Sequence, residues 1–378
     1  MKRQKPSGPA YRRIVAKFGT SLLTGGTDRL SRPVMAGLVE QLAALHAAGH
    51  ELVVVSSGAI AAGREKLGLT RRVRGIPYRQ VLASAGQSHL MNLYEDLFAR
   101  HGIKVAQALL TRADLSARAG YLNARNTLLA LIELGVICIV NENDVVAVDE
   151  IRQARFGDND NLSAMVANLV DADLLLILSD IAGLFTTDPH RHPDARLIPV
   201  VERIDEEIEK LGADSTSQTG TGGMATKIEA ARLATACGVT VVIADGREPE
   251  VLRRAAAGEP VGTRFLPAGN RRRSRQRWLL SGLSARGRLV VDAGAAEALR
   301  RHHRSLLAAG ILRAEGNFRR GDIVDIRDPQ GRRIGYGITN YDAADVTALK
   351  GVHSNRIAET LGHDYGAEIV HRNNLVVV

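Results

Sequence analysis

The chain has 378 residues, 45% of them hydrophobic and 24% charged, with a formal net charge of +9. Such a length accommodates two domains with sizeable cores, and the balance excludes a wholly disordered chain. The positive excess is uneven: Lys and Arg number 31 against 30 Asp and Glu over residues 1–269, but 19 against 11 over 270–378. Five of those arginines fall in RRRSRQR (271–277), which reads as a solvated linker and a boundary rather than a nucleic-acid groove.

Between residues 14 and 246, short β-branched runs alternate with longer segments of helical period, the pattern of parallel strands joined by crossover helices. The first predicted strand, IVAKFGTSLL (14–23), contains Lys17, and Gly19 marks a bend or a close ligand approach. Alone, Lys17 reads as a lysine snorkelling from a sheet edge. Beside a second anion-binding loop it becomes a group that could stabilise a phosphoryl group in transfer. A helix follows from Pro33, with Gly49 as its stop. The strand ELVVVSSG (51–58) ends in serines that either cap a helix or, through Ser57 and nearby N–H groups, hold a carboxylate.

A helix over 78–100, a strand over 104–110 and a helix over 121–134 lead to the strand ICIVNEND (137–144). NEND and FGDNDNLSA (156–164) are ordinary turns or caps in isolation. Clustered at strand ends, where open α/β sheets gather ligands, they read as a site. A helix over 160–170 and the strand LLLILSD (174–180) precede SDIAGLFTTDP (179–189), read either as a nucleotide-flanking loop or as a turn built on Gly183 and Pro189. GTGGMATK (220–227) opens a helix over 223–237. On glycine content it reads equally as a plain flexible loop or as a phosphate site, which its N–H groups and the helix dipole would suit, with Lys227 one turn in. It is not a Walker A loop, because GxxxxGK[ST] is absent. After the strand TVVIADG (240–246) and the arginine run, LVVDAG, DIVDIRD and RIGYGI indicate a small, mainly β domain.

Cys138 and Cys237 lie in separate apolar segments and read as reduced core residues rather than a disulfide. His190, His192, His302 and His303 lack partners at ligand spacing, so they are expected to be exposed and no metal site is expected. No apolar run reaches the ~18 residues that span a bilayer, and a cytoplasmic protein is expected.

In order and spacing, KFGTS, VSSGAIAAG, NENDVVAV, FGDNDNLSA, SDIAGLFTTDP and GTGGMATK resemble the amino-acid kinase family over about residues 12–267. NEND followed by GDNDNLSA resembles the branch that phosphorylates the side-chain carboxylate of L-glutamate more than those acting on acetylglutamate or aspartate. Residues 277–372 are similar to a PUA domain through LVVDAGAAEAL, SLLAAGI, EGNFRRGDIVDI and YGITNY. Two departures stand out: Ala293 occupies the middle of an expected Asp-Glu-Gly, and a proline expected near Ala309 is missing.

The resemblance implies an N-terminal extension (1–11), a kinase domain (12–267) built as a three-layer α/β/α sandwich on a mostly parallel sheet, a basic linker (268–276) and a PUA-like domain (277–372). It implies that Lys17 and Lys227 neutralise the transferring phosphoryl group while Asp160 orients both. It assigns Ser57, Asp144 and Asn159 to glutamate, and Ser179, Asp180, Thr221, Gly222, Gly223, Met224, Ala225, Thr226 and Lys227 to ATP. Magnesium is expected as Mg-ATP. The implied product is L-glutamyl 5-phosphate, the first intermediate of proline synthesis, with inhibition by proline, hand-off to a reductase and a homo-oligomeric assembly. Other amino-acid kinases are the nearest alternatives. A kinase-like RNA-binding protein acting through the PUA domain is the alternative of a different class, disfavoured by an aromatic content of 4% where base stacking needs aromatic platforms.

Overall fold

Arg13–Phe18 forms the central strand β1 because RIVAKF is β-branched and apolar enough to be buried on both faces. In the computed structural model, which describes residues 10–69, 75–147, 159–189, 191–214, 223–267 and 285–377, β1 lies between two parallel neighbours, β2 (Glu51–Ser56) and β5 (Leu174–Ser179). The strand expected over 14–23 stops at Phe18. The Gly19 N–H bonds to Leu178 O, and Thr20–Thr24 turns into a short helix, α1, that buries Leu22 and Leu23 and closes on left-handed Gly25.

The first unit continues through α2 (Arg32–Ala47), α3 (Ala59–Lys66), α4 (Ile76–Ala99), β3 (Val105–Leu110), α5 (Arg112–Ser116), the part of α6 (Arg118–Glu133) from Ala124 on, β4 (Ile137–Glu142) and α7 (Asn159–Leu169). After β5 come β6 (Val200–Val201), α8 (Glu206–Asp214), α9 (Met224–Ala236), β7 (Thr240–Asp245), α10 (Val251–Ala256) and β8 (Thr263–Phe265). The sheet order is β3-β4-β2-β1-β5-β7-β8-β6, parallel throughout except for the antiparallel β7–β8 pair. Side chains alternate along β1. Ile14, Ala16 and Phe18 enter a core shared with α2, α4 and α10, whereas Lys17 points to the other face, where α7 brings Asp160 to it. Two helical layers therefore sandwich the sheet.

One close approach in this unit matters for the site. A Cβ at Gly63 would lie 1.8 Å from Leu82 O, and one at Gly86 would lie 2.0 Å from Ala59 O. Only glycines let α3 and α4 pack backbone to backbone here, which fixes α4 against the helix that starts at Gly58.

The chain divides into two compact units, Met1–Leu115 with Ala124–Ser274, and Ser116–Asn123 with Arg275–Val378. The second unit contains β9 (Gly287–Val291), α11 (Ala293–His302), β10 (Leu306–Leu307), β11 (Ile311–Gly316), β12 (Ile323–Arg327), β13 (Arg333–Ile338), α12 (Ala343–Ala348), α13 (Ile357–Leu361), β14 (Glu368–Val370) and β15 (Leu375–Val377). Its sheet runs β11-β9-β12-β13-β15 beside a β10–β14 pair, over its own core of Leu289, Leu299, Phe318, Ile326 and Tyr341. Leu122 is buried in this unit with Ile323, Ile338 and Val376. The departure at Ala293 leaves the local cap intact: Asp292 still accepts the Ala295 N–H at 2.7 Å at the start of α11. Ala309 sits in the 3-10 turn Ala308–Gly310 without the expected proline.

Cys138 is buried and Cys237 half-buried, and both are free thiols; burial pushes the Cys138 thiol up to about 12. His192, His302 and His303 are exposed. Among the described residues no helix is long and apolar enough to cross a membrane. His190 and the linker (268–276) lie outside the described residues, as do Thr221 and Gly222.

Candidate active site

Lys17 and Asp160 are both fully buried, and Lys227 nearly so. Asp160 sits in the first turn of α7, where a carboxylate also complements the helix dipole. Lys17 Nζ lies 2.6 Å from Asp160 Oδ1, and Lys227 Nζ, from α9, lies 3.2 Å from Oδ2. Thr226 donates its hydroxyl to the same Oδ2 at 2.9 Å. Burial alone would push the Asp160 carboxyl up. The Lys17 and Lys227 charges and the Lys17 and Thr226 hydrogen bonds outweigh it and hold the group well below the usual carboxylate range. Two buried ammonium groups thus share one buried carboxylate. Such a group is costly for a scaffold and suited to an incoming anion.

A second polar cluster lies one residue away. The Asn159 amide nitrogen is within 2.9 Å of Ser56 O, 3.2 Å of Ser57 Oγ and 2.8 Å of Asn141 Oδ1. Asn141 donates in turn to Gln87 Oε1 at 2.7 Å, and Ser56 Oγ is 2.8 Å from the Tyr94 hydroxyl. Burial raises the Tyr94 phenol, so it stays neutral. With its nitrogen committed inside the protein, Asn159 keeps Oδ1 as the acceptor for a ligand.

The carboxyl ends of β1, β2 and β4 border a cleft of about 70 Å³ whose lining includes Thr20, Ser57, Gly58, Arg79, Glu142, Asp144 and Asn159. Gly58 has φ 102° and begins α3, a left-handed conformation that favours glycine. The three residues expected to hold an amino acid, Ser57, Asp144 and Asn159, all line this one cleft.

On the other side of β1, Ser179 ends β5 and Asp180 follows it. Arg247 fixes that corner: it donates to Asp180 O at 2.9 Å and pairs with Asp245 at 2.6 Å. Gly223 is the N-terminal cap of α9, and Met224, Ala225, Thr226 and Lys227 form its first turn. Met224 faces the interior and Ala225 is exposed. Arg79, Thr20, Glu142 and the Gln87–Asn141 pair are additions that the motifs do not individually single out. Asn141 and Glu142 lie within NEND, so the motif carries their signal; Gln87 and Arg79 sit in the middle and first turn of a helix and carry none.

Comparison with known proteins identifies the family. The profile of the amino acid kinase family matches residues 12–245, and that of the PUA domain matches 287–361. A glutamate 5-kinase of Dehalococcoides mccartyi is 60% identical over 372 residues, covering 98% of this chain and 100% of its own. Glutamate 5-kinases of Herpetosiphon aurantiacus and Deinococcus radiodurans are 53% and 52% identical over 366 residues, each match covering 97% of this chain and respectively 98% and 100% of theirs. The chain therefore belongs to the amino acid kinase family, with a PUA domain in its C-terminal part.

Proposed function

We propose that the chain transfers the γ-phosphoryl group of ATP to the side-chain carboxylate of L-glutamate, giving L-glutamyl 5-phosphate and ADP. The observation that carries the reading is Asp160 bridging two buried lysines, one residue from the Asn159 that lines the polar cleft. The names of the relatives, matched over nearly the whole chain, support the choice of substrate.

A carboxylate oxygen attacks the γ-phosphorus as the bond to the β–γ bridging oxygen breaks, and that electron pair leaves on ADP. With an ordinary pKa of about 4.3 the glutamate side chain is already an anion at neutral pH, so no general base is needed. The work left to the protein is alignment and charge neutralisation. Lys17 and Lys227 face the phosphoryl oxygens, and Asp160 holds both ammonium groups in place. Ser57, Asp144 and Asn159 hold the amino acid, with Asp144 and Asn159 Oδ1 accepting from its ammonium group. Ser179, Asp180 and the turn from Thr221 to Lys227 hold ATP.

Both Asp160 oxygens are engaged by Lys17, Lys227 and Thr226. That donor set fits a magnesium ion held chiefly by the phosphates of ATP, where it would offset their charge. The reading extends to a cytoplasmic homo-oligomer with a kinase domain over 12–267 and a PUA-like domain over 277–372, inhibited by proline at the cleft and passing its labile acyl phosphate to a reductase. ADP release across a panel of acidic amino acids tests it. Turnover is expected with L-glutamate, and an aspartate or acetylglutamate preference would overturn the reading.

A further inference from the structure

Arg79 is a cation of the cleft that neither the lysine pair nor the polar network uses. It lies in the first turn of α4, half-buried, and its guanidinium makes no hydrogen bond or ion pair with another described residue. Its backbone is held on three sides. The Arg79 N–H bonds to Gly75 O, Gln80 Nε2 donates to Val145 O at 3.2 Å in the loop carrying Asp144, and the Gly63 and Gly86 contacts lock α4 onto α3. The α4 layer packs on the Ile14, Ala16 and Phe18 face of the sheet, opposite the face where Lys17 meets Asp160. The site thus has two cationic poles on opposite sides of the β1 end, with Asp144, Glu142 and Asn159 beside the second.

We infer that Arg79 binds the α-carboxylate of the amino-acid substrate and so selects a dicarboxylate that spans from Arg79 to the lysine pair. The inference rests on the proposed function. A side-chain carboxylate placed at Lys17 and Lys227 leaves an ammonium group and a second carboxylate at the other end of the molecule. The ammonium group finds acceptors in Asp144 and Asn159, and the planar, permanently charged guanidinium is the complementary partner for the second carboxylate.

The test compares wild type, Arg79→Gln and Arg79→Lys on L-glutamate and on its α-amide, which keeps the side-chain carboxylate and the ammonium group. Arg79→Gln should raise the glutamate KM roughly ten-fold or more, the loss expected for a charge-assisted hydrogen bond, with the ATP KM within about two-fold. It should also erase most of the preference for glutamate over the α-amide, and Arg79→Lys should recover part of that preference. Titration calorimetry of glutamate in the absence of ATP reads the same loss without turnover. A folded Arg79→Gln protein with an unchanged glutamate KM and an intact preference would overturn the inference and leave the proposed function standing. Wild type that phosphorylates another dicarboxylic amino acid instead would overturn the proposed function, and the Arg79 inference would then be decided by the same comparison on that acid and its α-amide.

Discussion

Replacing Asp160 by Asn removes the carboxylate shared by Lys17 and Lys227 while nearly preserving shape. At 2.6 and 3.2 Å, each contact is worth on the order of 5–6 kcal/mol of Coulomb attraction at an effective dielectric near 20. Much of that offsets desolvation. Breaking a buried pair costs about 3–5 kcal/mol, because the partner charges stay behind unpaired. For a domain of this size that is a fall in Tm of roughly 6–20 °C. The burial of the triad also fixes a sign. In the Asp160→Asn background, Lys227→Met should raise Tm by removing one of two neighbouring buried ammonium groups, whereas the same change in wild type should not.

The pH dependence follows from the depressed Asp160 carboxyl. Its folded pKa lies below the unfolded value of about 3.9, so its stabilisation is complete above that pH and is lost as pH falls below it. The Tm difference between wild type and Asp160→Asn should therefore stay level from neutral pH to about 5 and narrow below about 4. Thermal circular dichroism on the full chain, with all four combinations at positions 160 and 227, gives every quantity needed. An Asp160→Asn protein melting within about 2 °C of wild type, or a double variant no more stable than the single, would refute the buried bridge.

Lys17→Ala and Lys227→Ala should each lower kcat by about two orders of magnitude or more with the fold retained, as read by steady-state ADP release; near-normal turnover would remove that lysine from the chemistry. Asp144→Ala should raise the glutamate KM far more than the ATP KM and weaken proline inhibition in parallel, since both ligands carry an α-nitrogen to that carboxylate; equal effects on both substrates would contradict the assignment. A chain ending at Leu266 should keep glutamate-dependent activity. It should melt lower, because Leu122 loses Ile323, Ile338 and Val376, about 1.5–3 kcal/mol for one such side chain. A folded truncation without activity would show that the first 266 residues lack a complete site.

Much of this is legible in the sequence because parallel strands buried on both faces advertise themselves. The six predicted strands are all present, and IVAKFGTSLL differs only in its second half, where TSLL buries its leucines better as a helix turn than as sheet. Lys17 is visible as a charge in an apolar strand, and NEND with GDNDNLSA as polar residues crowded at strand ends. What spacing does not express is contact across layers. Nothing in the run of sequence says that Asp160 meets a lysine 143 positions earlier and another 67 later; only family resemblance supplies that. Arg79 is hidden for the opposite reason, since an arginine in the first turn of a helix is usually a solvated charge. Its place over the cleft depends on Gly63 and Gly86, whose significance appears only when α3 and α4 touch.

On the proposed reading an anion, Asp160, sits in a site that binds two others, and this has a physical logic. A carboxylate between the two lysines holds both ammonium groups in place before substrate arrives, so on the proposed reading the reorganisation cost is met in folding and not during transfer. Asp144 and Glu142 lie in a different part of the site, at the cleft. On the proposed reading the acidic groups have separate roles, one holding the two lysines and the others bordering the cleft. A general base would add nothing to either role, since the attacking carboxylate carries no proton at neutral pH. Charge placement is accordingly the main lever this fold has on the rate, and substitutions there should act on kcat, while those at the cleft should act on KM.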